Sequence, residues 1–200
     1  LDKHMERRTL WLSTLVACYY LLDLYLRTTD SPQLFVVWVG LGYVIFFSSL
    51  LFRKKISTIY LCLTLFLVLS MLVCSLFTAN IQLLGILFNV HYVGIAYVLL
   101  VYNLNAKVIS VLVYSYIAFF LYQIFLAVDP NRVFLSSRNL ISAVMLNIMV
   151  IYYLTIDKNG KKIRVLPLFF SLVISVWSVS RSAIVAISFL CLGIVIVSLF

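Results

Sequence analysis

The run ISTIYLCLTLFLVLSMLVCSLF, from Ile56 to Phe77, contains no charged side chain, and it is one of several such runs separated by short charged clusters. A hydrocarbon layer about 30 Å thick takes roughly 20 apolar residues per helical crossing, which is close to the length of nearly every stretch between the clusters. Strands of a membrane barrel would instead alternate apolar with polar residues over segments of about ten, and LCLTLFLVLSMLVCSLF does not. Composition points the same way: the 200 residues are 65% hydrophobic, 16% aromatic and only 10% charged, with a mean hydropathy of +1.17. A soluble domain carries far more charge. The expected fold class is therefore all-α, a polytopic transmembrane helix bundle that forms one membrane-embedded helical domain over residues 1–200.

Hydropathy places about eight spans: Leu10 to Leu26, Leu34 to Phe52, Ile56 to Phe77, Leu83 to Tyr102, Val108 to Ala127, Leu140 to Ile156, Val165 to Val179, and Ser182 to the end. Basic residues mark alternate connections. Lys3, Arg7 and Arg8 precede the first span; Arg53, Lys54 and Lys55 follow the second; Lys107 follows the fourth; Lys158, Lys161, Lys162 and Arg164 follow the sixth. Short loops rich in Lys and Arg stay in the cytoplasm, so this alternation predicts a cytoplasmic N-terminus. The net charge of +9 is thereby read as a topology signal and not as a nucleic-acid surface. LDKHMERR leads straight into the first span with no cleavage site of small residues, so that span is its own insertion signal. The start at Leu1 and the end within the apolar run GIVIVSLF suggest the N-terminal part of a longer chain.

Several polar residues inside the spans have structural readings. Asp23 and Arg27 stand one helical turn apart and neutralise each other locally. His91, beside Asn89 and Tyr92, is expected to hydrogen-bond a neighbouring helix, because a proton relay would need carboxylates in the membrane and Asp23 is alone there. Tyr19, Tyr20, Tyr25, Tyr152 and Tyr153 fall toward span ends and suit anchoring at the interface. Tyr114, Tyr122 and Gln123 are assigned to anchoring and packing, a wet cavity being the sharper alternative. Cys18, Cys62, Cys74 and Cys191 lie singly in apolar runs without CxxC spacing, so they are expected to be small buried hydrophobes, with no disulfide and no metal.

Arg181 is harder to absorb. From Val165 to Phe200 a single helix would be about 54 Å long at 1.5 Å per residue, nearly twice the hydrocarbon thickness. An arginine at the bilayer centre costs roughly 2.5–3.5 kcal/mol, so the chain is expected to turn at Ser180–Arg181–Ser182 on the outer side. Either serine is an N-cap by type, and a guanidinium beside a helix N-terminus forms an anion trap. An arginine that snorkels to lipid headgroups is the competing reading. A second outer segment, DPNRVFLSSRNLISAVML, holds Arg132 and Arg138, with a turn at Asp129–Pro130 and Asn139 opening the next span. Arg138 and Arg181 both precede helices entering from one face, where they could share a diphosphate.

SRNLISAVMLNIMVIYYL followed by WSVSRSAIVAISFLCLGIVIV resembles the superfamily of O-antigen ligases and O-antigen or capsular polysaccharide polymerases. There an outer loop leads into a span opening with Asn, matched by Asn139, and a later span opens with Ser-Arg-Gly, matched by Ser180 and Arg181 with Ser182 in place of the glycine. The resemblance implies a multi-pass glycosyltransferase of the bacterial cytoplasmic membrane that polymerises undecaprenyl-diphosphate-linked repeat units for capsule, exopolysaccharide or O-antigen. It implies a lipid-linked glycan donor and acceptor as substrates, membrane lipid and other polysaccharide assembly proteins as partners, and no nucleic acid, cofactor or metal. Arg181, Arg138 and Arg132, with Ser180, Ser182 and Asn139, would hold the donor diphosphate. The family's important external-loop histidine is matched by neither His4 nor His91, so no catalytic base is carried over. A ligase that transfers finished glycan is the alternative within the superfamily. A lipid-linked oligosaccharide flippase or another transporter is the alternative outside it, and would call for polar residues deep in the spans and an internal repeat.

Overall fold

A computed structural model describes residues 3–29, 31–52, scattered positions between 58 and 73, then 83–134, 138–162, 164–178, 184–189 and 192–193. Regular structure among the described residues is helical throughout. The helices are α1 (Lys3–Thr28), α2 (Pro32–Phe52), α3 (Leu83–Val101), α4 (Ala106–Phe125), α5 (Pro130–Val133), α6 (Arg138–Lys158) and α7 (Val165–Trp177). Residues 184–189 are helical again.

Helix boundaries follow local chemistry. Pro32 and Pro130 stand at first helical positions, where a missing N–H costs nothing. Asn105 caps α4 by accepting from the Lys107 amide at 2.9 Å, and Asp129 caps α5 by accepting from the Asn131 amide at 2.9 Å. α6 ends in a turn in which Gly160, with φ of +59°, takes a left-handed conformation that a side chain would resist. Hydroxyls along the spans bond back to their own helix, as Ser13 does to the Thr9 carbonyl at 2.5 Å and Ser110 to the Ala106 carbonyl at 2.7 Å. Such bonds let serine and threonine sit in an apolar run.

Among the described residues, four helices are long and apolar enough to cross a membrane: Glu6–Thr28, Pro32–Phe52, Ala106–Phe125 and Asn139–Lys158. They correspond to the first, second, fifth and sixth of the eight expected spans. α3 follows the fourth for 19 residues. α7, at 13 residues, covers only about 20 Å, so the seventh falls short of a full crossing. The third span, and the eighth from Ser182 onward, lie mostly outside the described residues.

The chain divides into two compact units, Leu1–Tyr19 with Pro32–Leu104, and Tyr20–Ser31 with Asn105–Phe200. In the first, α2 packs on α3 through two glycine notches. A Cβ on Gly42 would lie 2.6 Å from His91 Cδ2, and one on Gly94 would lie 2.8 Å from Phe46 Cβ. Small residues let membrane helices approach this closely, and there van der Waals contact replaces the missing hydrophobic drive. The Tyr102 hydroxyl closes the end of this pair by donating to the Ser49 carbonyl at 2.5 Å.

In the second unit α4, α6 and α7 pack on one another, and α5 packs on α6. Their core holds Tyr116, Phe120, Phe134, Ile141, Met145, Met149, Tyr152 and Ile174. Tyr116 reaches from α4 to donate to the Tyr20 carbonyl of α1. One turn further along α1, Arg27 Nε meets Asp23 Oδ2 at 2.8 Å, as the spacing predicted. Arg27→Ala is expected to cost about 1–2 kcal/mol, because it leaves a mostly buried carboxylate unpaired. Thermal unfolding in detergent micelles should show the double change Asp23→Ala with Arg27→Ala to be milder than Arg27→Ala alone.

Two groups of expectations are corrected. Tyr19, Tyr152 and Tyr153 are core residues at 2%, 1% and 7% exposure, while Tyr25, at 53%, stays outside as an anchor would. Cys18 and Cys62 are exposed and not buried, since hydropathy alone does not say which way a helix is rotated. Cys74 and Cys191 lie outside the described residues.

Candidate functional site

The segment that holds Arg132 begins where α4 gives way to Asp129–Pro130. Val133 and Phe134 are buried, and the Phe134 ring meets Phe120 edge to face at 5.7 Å, which ties the four-residue α5 to the core. That anchoring leaves Arg132 exposed. The nearby Asp129 spends Oδ1 on the amide and the side-chain nitrogen of Asn131, at 2.9 and 3.0 Å. Among the described residues Arg132 forms no ion pair.

α6 starts at Arg138, one residue before the expected opening at Asn139, so Asn139 lies in the first helical turn with its side chain exposed. The side chain of Arg138 and the whole of Ser180, Arg181 and Ser182 lie outside the described residues. The flanks of that second motif are described. α7 stops at Trp177, Ser178 caps it by donating its amide to the Ile174 carbonyl at 2.9 Å, and helix resumes by residue 184. The expected turn at Ser180–Arg181–Ser182 lies outside the described residues.

One contact joins the two motifs' flanks. The Ser142 and Ser178 hydroxyls lie 2.5 Å apart, both fully buried, and Ser178 also donates to the Ser175 carbonyl at 3.0 Å. Ser142 is one turn inside α6 from Arg138, and Ser178 is three residues before Arg181. Sequence reading did not single out either serine. The available signal was the spacing Ser171, Ser175, Ser178, which puts three hydroxyls on one face of α7, all of them buried.

A second polar cluster occupies the first unit. His91, 1% exposed, meets the Tyr19 hydroxyl through Nε2 at 2.9 Å, and the tautomer decides which of the two donates. Trp38 stacks on Tyr19 with centroids 5.1 Å apart and presents the His91 ring with an edge contact at 5.0 Å. Tyr92 stacks on the imidazole at 4.3 Å and meets Trp38 edge to face at 5.5 Å. This is a buried core histidine that hydrogen-bonds a neighbouring helix, as the sequence suggested, in contact with residues of α1, α2 and α3. Tyr19→Phe should lower stability by about 1 kcal/mol, the scale of an interhelical hydrogen bond in a membrane. Thermal unfolding of the purified protein in detergent would read it.

The four membrane-length helices and the apolar composition define the class, an α-helical membrane protein. Comparison with family models, curated proteins and solved structures returned no match for this chain.

Proposed function

We propose that this protein is a glycosyltransferase of the bacterial cytoplasmic membrane, with its N-terminus in the cytoplasm, that polymerises undecaprenyl-diphosphate-linked repeat units at the outer face. The reading rests on the two arginine motifs and on the Ser142–Ser178 contact, which brings the first turns of α6 and the end of α7 to one place in the bundle. Arg138 and Arg181 stand four residues before and three residues after those serines. Arg132, exposed on α5 beside the same helix, adds a third positive charge.

Chemically, cleavage of a sugar–phosphate bond develops negative charge on the departing diphosphate. Preorganised guanidiniums stabilise that charge, and their donors lie in the fork geometry that phosphate oxygens accept. Asn139 and the serines flanking Arg181 would complete the set with neutral donors near helix N-termini. An acceptor hydroxyl must lose a proton to a base, a role no residue of this chain is assigned.

The deciding experiment is polymer formation in cells carrying Arg181→Ala, scored as a glycan ladder and normalised to membrane expression. Loss of the ladder with accumulation of single lipid-linked repeats is the expected result. A normal ladder would make Arg181 a topology anchor and remove the case for donor binding. Retention of a single transferred block with altered chain-length distribution would favour a ligase over a polymerase.

A further inference from the structure

Positive charge gathers at one end of the second unit. Tyr152, near the end of α6, interacts with Ser110 and Tyr114 of α4 and with the charge of Arg164, the N-cap residue of α7. The start of α4, the end of α6 and the start of α7 therefore lie at the same end, and the Phe120–Phe134 contact marks the other. That end carries Lys107 on α4, Lys158 on α6, and Lys161, Lys162 and Arg164 in the connection to α7, with one carboxylate, Asp157, in the same segments. Lys158 is half-buried and the other four cations are exposed. Among the described residues Lys107, Lys161, Lys162 and Arg164 form no ion pair.

Two features set this group apart from a solvated loop. The Lys161 amide donates to the Ile156 carbonyl at 3.1 Å and the Gly160 amide to the Asp157 carbonyl at 2.8 Å, a Schellman closure that fixes the direction in which the chain leaves α6. Immediately after the cations, α7 turns Pro167 and Leu168 inward and leaves Val165, Leu166 and Phe169 exposed. Compensation of the helix dipole accounts for Lys158 and Lys161 at the end of α6. It does not account for Lys107 and Arg164, which stand at helix starts, where positive charge is unfavourable. Cations followed along a helix by an outward apolar face match the two parts of a phospholipid.

We propose that this basic end of the second unit is a docking surface for an anionic phospholipid of the adjoining leaflet. Its phosphate lies among Lys107, Lys158, Lys161, Lys162 and Arg164, and an acyl chain runs along Leu166 and Phe169. Basic side chains beside a membrane helix attract anionic headgroups, and basic pockets between such helices hold those with more than one phosphate. Lys158 stands the length of α6, about 30 Å, from Arg138, so this surface and the proposed diphosphate site fail independently.

The test titrates phospholipid into the full-length protein in neutral detergent micelles and counts bound lipid by native mass spectrometry. The probes are diphosphatidylglycerol, zwitterionic phosphatidylcholine and soluble glycerol 3-phosphate. Diphosphatidylglycerol is expected to bind about tenfold or more tighter than phosphatidylcholine, and less tightly as salt is raised. Lys161→Gln with Lys162→Gln should weaken it about 10- to 30-fold, since each charge near a membrane surface is worth about fivefold. Lys161→Arg with Lys162→Arg keeps both charges and should stay within about twofold of the unmodified protein.

Equal binding of phosphatidylcholine and diphosphatidylglycerol would overturn the proposal, and so would unchanged affinity in the glutamine pair. Equal loss in the arginine pair would mean that the shape of the connection, and not its charge, is read, which also overturns it. Glycerol 3-phosphate bound as tightly as the lipid would replace the lipid surface with a site for a soluble phosphate ester.

Discussion

Cells in which Arg181 is replaced by lysine are expected to lose the glycan ladder nearly as completely as those carrying alanine. Lysine keeps the charge and the topology signal, so a snorkelling anchor would tolerate it. A diphosphate held by a fork of donors would not, because the ammonium is a compact, strongly hydrated point charge without the planar pair of N–H groups. Removing a preorganised donor from a developing anion costs about 10²- to 10³-fold in rate. With Arg132 and Arg138 still present, the loss expected for Arg181→Lys is about 10²-fold in polymer formed per unit of membrane protein. Full activity in the lysine variant would assign Arg181 to anchoring.

Gly94→Leu is expected to be the most damaging single change in the first unit. The Cβ that any other residue adds at position 94 would stand 2.8 Å from Phe46 Cβ, an atom fixed to the backbone of α2 that has no rotamer with which to escape. The two helices must separate, and the contacts of Gly42 with His91 separate with them. Overpacking of this kind typically costs 1–3 kcal/mol, and with a branched side chain about 3 kcal/mol or more. Gly40 supplies the control. Nothing lies within 4 Å of a Cβ there, so Gly40→Ala should be neutral or gain up to about 1 kcal/mol from helix propensity. Thermal unfolding in detergent micelles separates the two glycines: a shared loss would mean that helix flexibility, and not packing, sets their role.

Legibility differed between the fold and the site. The Asp23–Arg27 pair was readable because four residues along a helix bring two side chains together whatever else the helix touches. His91 was readable as a core residue bonded to a neighbouring helix because an imidazole at that depth must find a partner, although the partner of its Nε2, Tyr19, is 72 positions away. The turn expected at Ser180–Arg181–Ser182, from the length of the apolar run and the cost of a buried guanidinium, lies outside the described residues. α7 nevertheless ends two residues earlier than Val179, at a serine whose partner is on another helix. Of the proposed diphosphate ligands, Arg132 and Asn139 are exposed, and the start of α6 carries Arg138 at its first position.

Sequence by itself determined that the chain is helical and built for a membrane. Both properties are summed residue by residue, from local backbone hydrogen bonds and from the transfer of each side chain out of water. It determined the ends of several helices for the same reason, since Asn105, Asp129 and Gly160 act on backbone groups within a turn of themselves. Only the tertiary structure decided which face of each helix turns inward. In lipid the outside is as apolar as the inside, so hydropathy carries little record of rotation about the helix axis. That is why Tyr19 and Tyr152 proved to be core residues and Cys18 did not. It is also why two serines, unremarked among apolar neighbours, turned out to join α6 to the end of α7.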